Sequence, residues 1–364
     1  MSVSALAAAV QKNSDISDAR FAGIYSLCTM VLKLRSLYKW EHGLAPWQTP
    51  ASQAVLAWIA DKELLWDEIR DQAYAPLPVD RDLIDPFTAA PVNAVLARLR
   101  LLYGAGYGRS MKPVFFLAEE ETALTVQGCP VRILGRELAR EMAAPLALSQ
   151  DGAVYVRRQA LAGFLWDQIQ EVRGCGRPAM RFALAGYRLL TPAGTVDSQQ
   201  LAARLDELVT SELPLFIHHE IGEVLEEALP SELATGVAAA YPDSALELVT
   251  RALKDVLADT HPAGPLAFIQ AERRSSSLGF FIAFLDGIRR LLMPELPAAF
   301  TELATHGDWA AWSGAVAAAR DLNLRRADAL ARLWAKTAGL PAERRRQALE
   351  AGLLAPLGLA GGRP

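Results

Sequence analysis

The residues with the most chemical promise lie together in Leu215-Phe216-Ile217-His218-His219-Glu220-Ile221-Gly222-Glu223. The chain holds only five histidines, and two of them are adjacent here. Pro214 suits the first position of a helix, and residues four apart share a helix face. His219 and Glu223 are thus a pair that one helix can offer to one metal ion. Glu220 stands where the general base stands in the HExxH zinc motif, with glutamate in place of the second histidine. A carboxylate at that place suits zinc, iron or manganese. The expectation is a metal held by His219 and Glu223, with Glu220 as catalytic base and His218 as a further ligand candidate.

A helical wheel at about 100° per residue gives the competing reading. Ile217, Ile221, Val224, Leu225 and Ala228 fall on one face, and His219, Glu220, Glu223, Glu226 and Glu227 on the other. An acidic face turned to water would look the same. The metal reading requires another element to cover that face with ligands.

Other constellations supply candidates for the missing ligands. Tyr38-Lys39-Trp40-Glu41-His42-Gly43 reads as a helix end, with Glu41 and His42 beside Trp40 and Trp47. Gly43 as a stop and His42 against the helix dipole give them a purely structural role. In Gln270–Gly279, Glu272 is a possible ligand, while Arg273, Arg274 and Ser275–Ser277 could meet an anion or face a helix crossing. Further on, Asp286 stands at pairing distance from Arg289 or Arg290. The glycines of Tyr103–Lys112, with Arg109, Ser110 and Lys112, could cradle phosphate. They follow an expected helix and precede an expected strand, the reverse of phosphate-binding loops, so a flexible connector fits better. His261 and His306 read as turn residues.

These groups must be positioned by a mainly α chain. Apolar spacing predicts helices over about 18–40, 51–72, 92–103, 136–143 and 158–172. Beyond residue 176 it predicts helices near 177–190, 197–211, 214–228, 231–240, 243–258, 264–292, 296–304, 308–320, 323–338 and 341–353, with a frayed tail from Leu357. Short β-like runs at 113–118, 123–126, 131–134 and 154–156 interrupt them. The expected fold is a multi-helix bundle with a small inserted α+β unit near residues 111–172. Its parts would be 1–110, 111–175, 176–322 and 323–364.

Composition narrows the class. Of 364 residues 52% are apolar and 21% charged, which provides for a sizeable core and excludes a disordered chain. The 37 Lys and Arg against 41 Asp and Glu give a net charge of −4, unlike a globally basic nucleic-acid binder. Three dispersed cysteines, Cys28, Cys129 and Cys175, exclude a disulfide framework or a cysteine zinc site. Cys28, in an apolar run, reads as a buried thiol. No apolar run reaches the roughly 20 residues of a membrane span, and the N-terminal segment lacks a basic leader. A cytoplasmic location follows as an expectation.

Four segments, SLYKWEHGLAPW, GYGRSMKPVFFLA, LFIHHEIGE and SLGFFIAFLDGIRRLLMPEL, resemble an uncharacterised, mainly proteobacterial protein family. The resemblance spans most of the chain in one order and implies a single ancestral architecture. It implies no activity. The expected function is therefore a helical enzyme dependent on zinc, iron or manganese. Its ligands would be drawn from His219, Glu223, His218, Glu41, His42 and Glu272. The alternative is a non-catalytic interaction or scaffold protein.

Overall fold

Pro113-Val114-Phe115-Phe116-Leu117-Ala118 is apolar on both of its alternating faces, the pattern of a strand covered on two sides. In the computed structural model, which describes residues 2–171, 177–285 and 287–359, that strand frames one of two units. The units are Met1–Asp167 and Gln168–Pro364.

The N-terminal unit begins with α1 (Val3–Phe21), α2 (Leu27–Glu41) and α3 (Ser52–Ile69). A short hairpin of β1 (Leu77–Val79) and β2 (Asp82–Ile84) and helix α4 (Ala89–Leu96) follow. Then come β3 (Leu101–Tyr107), β4 (Pro113–Val126), β5 (Cys129–Ala139), β6 (Ala147–Gln150), β7 (Ala153–Arg157) and α5 (Arg158–Glu171). The sheet order is β3-β4-β5-β7-β6, with β5 and β7 parallel and the other pairs antiparallel. Gln127 and Gly128, at φ +49° and +82°, form the two-residue turn joining β4 to β5. Register shifts along that pair curl the sheet. Phe115 and Leu117 pack with Leu6, Val10 and Val92 on one face. Val114, Phe116 and Ala118 pack with Leu134 and Tyr155 on the other.

This sheet overturns the expected all-α bundle with its small insertion. It begins at Leu101 rather than near residue 111, its two longest strands have 14 and 11 residues, and a second sheet accompanies it. Helix still predominates along the chain. The helix expected over 92–103 stops early because Arg100 takes a left-handed conformation, φ +51°, and the chain turns into β3. Gly104 then makes room for an aromatic ring: a β-carbon there would lie 2.0 Å from Phe116 Cε1. The helix expected over 136–143 is instead the end of β5, to Ala139, followed by irregular chain. The first predicted helix, over 18–40, is divided between the end of α1 and α2, which ends at Glu41 close to where it was expected. α1 starts at Val3, and its most polar stretch is buried against backbone, with Ser14 Oγ donating to Phe115 O and Ser17 Oγ to Pro113 O.

The C-terminal unit is helical: α6 (Arg177–Gly186), α7 (Ser198–Leu225), α8 (Ser231–Ala240), α9 (Ala245–Thr260), α10 (Pro265–Ala271), α11 (Ser275–Phe284), α12 (Gly287–Leu292), α13 (Leu296–His306), α14 (Trp309–Lys336) and α15 (Ala342–Leu349). Leu246, Val249, Leu253, Val256 and Leu257 make α9 the centre of one large core. α7 runs unbroken through Pro214, where two helices were expected, and the expected helix over 264–292 is α10, α11 and α12. The tail predicted to fray from Leu357 is packed as far as Leu359. Cys28 is exposed, against expectation, and Cys129 is buried. Cys175, Asp286 and residues 360–364 lie outside the described residues. Among the described residues, no helix is long and apolar enough to cross a membrane.

Candidate functional site

The site forms where α7 crosses α9, and a glycine sets how closely they meet. A β-carbon on Gly222 would lie 2.3 Å from the Ala258 carbonyl oxygen, and one on Gly264 would lie 2.1 Å from the same atom. Backbone therefore touches backbone, which only glycine permits. The crossing brings the four-residue-spaced pair His219 and Glu223 onto a second such pair, Asp255 and Asp259.

His219 Nδ1 lies 2.9 Å from Asp259 Oδ1 and Nε2 lies 3.6 Å from Glu223 Oε1. Lys254 Nζ donates to Glu223 Oε2 at 2.8 Å, and the Arg289 guanidinium lies 3.1 Å from Asp259 Oδ2. One ligand atom from each of His219, Glu223 and Asp255 falls within 4.8 Å of the other two. Asp255 and Glu220 have no hydrogen-bond or ion-pair partner among the described residues. The side chains of His219 and Glu223 keep 23% and 17% of their exposure, so small solutes can reach them. Asp259, at 2%, is closed off.

This is the arrangement in which outer groups orient inner ones. With Nδ1–H donated to Asp259, His219 turns Nε2 toward Glu223 Oε1, and a metal ion there would replace the proton that this nitrogen otherwise carries. Lys254 holds Oε2 of Glu223 and leaves Oε1 facing that nitrogen. Asp259 is in turn held by Arg289.

The electrostatics show an unmet demand for positive charge. Four carboxyl groups, Glu220, Glu223, Asp255 and Asp259, face Lys254, Arg289 and His219. Burial pushes Asp255 up to about 6, with the charges of Glu223 and Asp259 adding to it and His219 and Arg289 opposing. Burial, with Glu223 beside it, likewise pushes Glu220 up to about 7. Burial would raise Glu223 too, but the hydrogen bond and charge of His219 and the Lys254 ammonium outweigh it and bring the carboxyl down to about 2. Burial acts to lower His219, and the Asp259 and Glu223 carboxylates raise it well above the usual histidine range. A divalent cation would neutralise this cluster; without one, protons do so.

The wheel-based reading placed this face in water and Val224 and Leu225 in the core. The structure divides it: Ile217 and Ile221 are buried and Glu227 is exposed as the wheel places them, but Glu220 is buried, and Val224 and Leu225 are 41% and 40% exposed. The remaining candidates go elsewhere. His218 is buried, its Nδ1 2.9 Å from Ala263 O and its ring stacked on Phe268, so it belongs to the α7–α10 packing. Glu272 is exposed at the end of α10. Glu41 and His42 find partners within the N-terminal unit: Glu41 accepts from Trp58 and Lys62, and His42 stacks on Tyr38. Lys112, offered for phosphate, is buried against Asp18 at 2.8 Å. Arg274 donates to Ser277 and Ser211. Asp255, Asp259 and Lys254 are not among the sequence-predicted site residues, and Arg289 is named there only as a partner for Asp286. The signal for the two aspartates was their four-residue spacing on the strongly amphipathic α9.

Residues 5–157 match the N-terminal domain, and residues 162–352 the C-terminal domain, of a family of unknown function, DUF6866. No curated protein and no solved structure matches the chain. On those two matches, which together cover nearly its whole length, the chain belongs to the DUF6866 family.

Proposed function

We propose that the C-terminal unit binds a divalent metal ion through His219 Nε2, Glu223 and Asp255, and that the protein is a metal-dependent enzyme. The observation that supports this reading is the convergence of those three ligand atoms within 4.8 Å, with Asp259 and Lys254 holding the outer atoms of His219 and Glu223. One nitrogen and two carboxylate oxygens suit zinc, iron or manganese, and three protein ligands leave open positions for a substrate. Glu220, whose carboxyl is pushed up to about 7 by burial, is matched to proton transfer near neutral pH. It serves as the general acid or base of this reading.

One observation favours a second reading. Lys254 and Arg289 already pair with Glu223 and Asp259. In a non-catalytic interaction or scaffold protein the cluster would be a helix junction held by ion pairs, with protons on the remaining carboxyls.

Elemental analysis separates the two. Wild type, His219→Ala and Asp255→Asn are purified side by side and reconstituted anaerobically with zinc, iron(II) or manganese. The metal reading expects near-stoichiometric metal in the wild type and loss in both variants, with all three proteins folded by circular dichroism. A wild type that holds no metal after reconstitution defeats it and leaves the interaction protein.

A further inference from the structure

A cavity of about 230 Å³ opens beside α14 in the C-terminal unit. Leu322, Leu330, Leu333, Leu353, Pro356 and Leu357 give it apolar walls. Its far side includes a turn of π-helix, Glu350–Leu354, a rare conformation that recurs at functional sites. Gly352 in that turn lets Leu333 lie against the backbone, since a β-carbon there would be 2.5 Å from Leu333 Cδ2.

Two guanidinium groups also line the cavity, and they differ in commitment. Arg326 donates to Leu292 O at 3.0 Å and to Asn323 Oδ1 at 2.9 Å. Arg325 is exposed and has neither a hydrogen bond nor an ion pair among the described residues. An apolar slot with one uncommitted cation at its edge is complementary to an anion carrying a hydrocarbon tail. The cavity is small and its walls are mostly leucine, dimensions and chemistry that suit a single short aliphatic chain.

We propose that this cavity binds a free medium-chain aliphatic carboxylate, its alkyl chain against the leucines of α14 and its carboxylate on Arg325. The site is independent of the α7–α9 cluster.

Isothermal titration of the full-length protein with sodium hexanoate, octanoate and decanoate, and with 1-octanol, tests it. Affinity is expected to rise about fourfold per added methylene and to level off once the slot is full. Arg325→Glu should weaken octanoate binding about tenfold or more. Octanol should bind about tenfold more weakly than octanoate to the wild type for the same reason. Ala329→Phe, which narrows the cavity from an exposed position, should abolish binding. Unchanged thermal unfolding of the two variants shows that each remains folded. Absence of octanoate binding at millimolar concentration overturns the proposal. So does octanol binding as tightly as octanoate, or octanoate binding both variants as it binds the wild type.

Discussion

In the N-terminal unit, Arg157 reaches Glu137 and Glu141 at 2.6 and 2.8 Å, Arg140 lies 3.2 Å from Glu137, and Lys112 lies 2.8 Å from Asp18. Three cations meet three carboxylates, and none of the six side chains is more than 5% exposed. In the C-terminal unit, four carboxyls meet two permanent cations and a histidine, and His219 and Glu223 stay partly open. A set of charges balanced in sign and closed to solvent calls for no outside ion and acts on the fold, although single atoms of Asp18, Glu137, Arg140, Glu141 and Arg157 lack a hydrogen bond. An unbalanced set with an opening demands a cation from outside or a proton. The difference separates a structural knot from a candidate site, although both consist of buried ion pairs.

The comparison can be broken most directly at Arg157. Arg157→Met would leave Glu137 and Glu141 charged in a dry interior and should cost about 3–5 kcal/mol of stability. Urea unfolding measures it, and a loss under about 1 kcal/mol would mean that water reaches the knot. At the other site the geometry rests on Gly222. Gly222→Val drives a side chain into the Ala258 carbonyl and should cost about 1–3 kcal/mol, with a matching fall in melting temperature. A melting temperature equal to the wild type's would contradict the close crossing.

Asp259→Asn sharpens the contrast by removing the charge that orients His219. Metal affinity, read by competition with a chromophoric chelator, should weaken about 10–100-fold; equal affinity would remove Asp259 from the site. The smallest effect is expected at Glu212, a buried carboxyl among neutral donors. Burial raises it above its ordinary 4.5, against hydrogen bonds from Tyr187 and Ser277 and the charge of Arg274. A raised folded pKa means that the stability it contributes is full below the ordinary value. That contribution is lost as pH rises through the folded pKa. Glu212→Gln should therefore gain on the wild type between pH 4.5 and pH 8 in urea unfolding. Parallel pH profiles would show that Glu212 titrates like a free carboxyl.

Local spacing was a sound guide wherever one helix decides the matter. Leu215–Glu223 is helical, and His219 and Glu223 come within 3.6 Å because residues four apart share a face. It failed where burial is two-sided. α7 is packed on α9 along its polar edge, so the acidic face is covered and the wheel misplaced Glu220, Val224 and Leu225. It failed again at Leu101–Tyr107, where an apolar run continuing a helix turned into strand, since short apolar runs carry no unambiguous period. Pro214 misled in the opposite sense: as a plausible helix start it divided a helix that continues through it.

The sequence by itself determined the composition of a large core, most of the C-terminal helices and the His219–Glu223 pair. Each of these depends on residues close together in the chain. Tertiary structure alone decided that Asp255, Asp259 and Arg289 would complete the cluster, since they come from other helices and meet α7 only because Gly222 lets α9 approach. It also decided that Lys112 and Arg157 would be neutralised in the N-terminal unit. The charge balance of a buried group depends on which partners the fold brings within a few ångströms, and chain spacing carries no record of that.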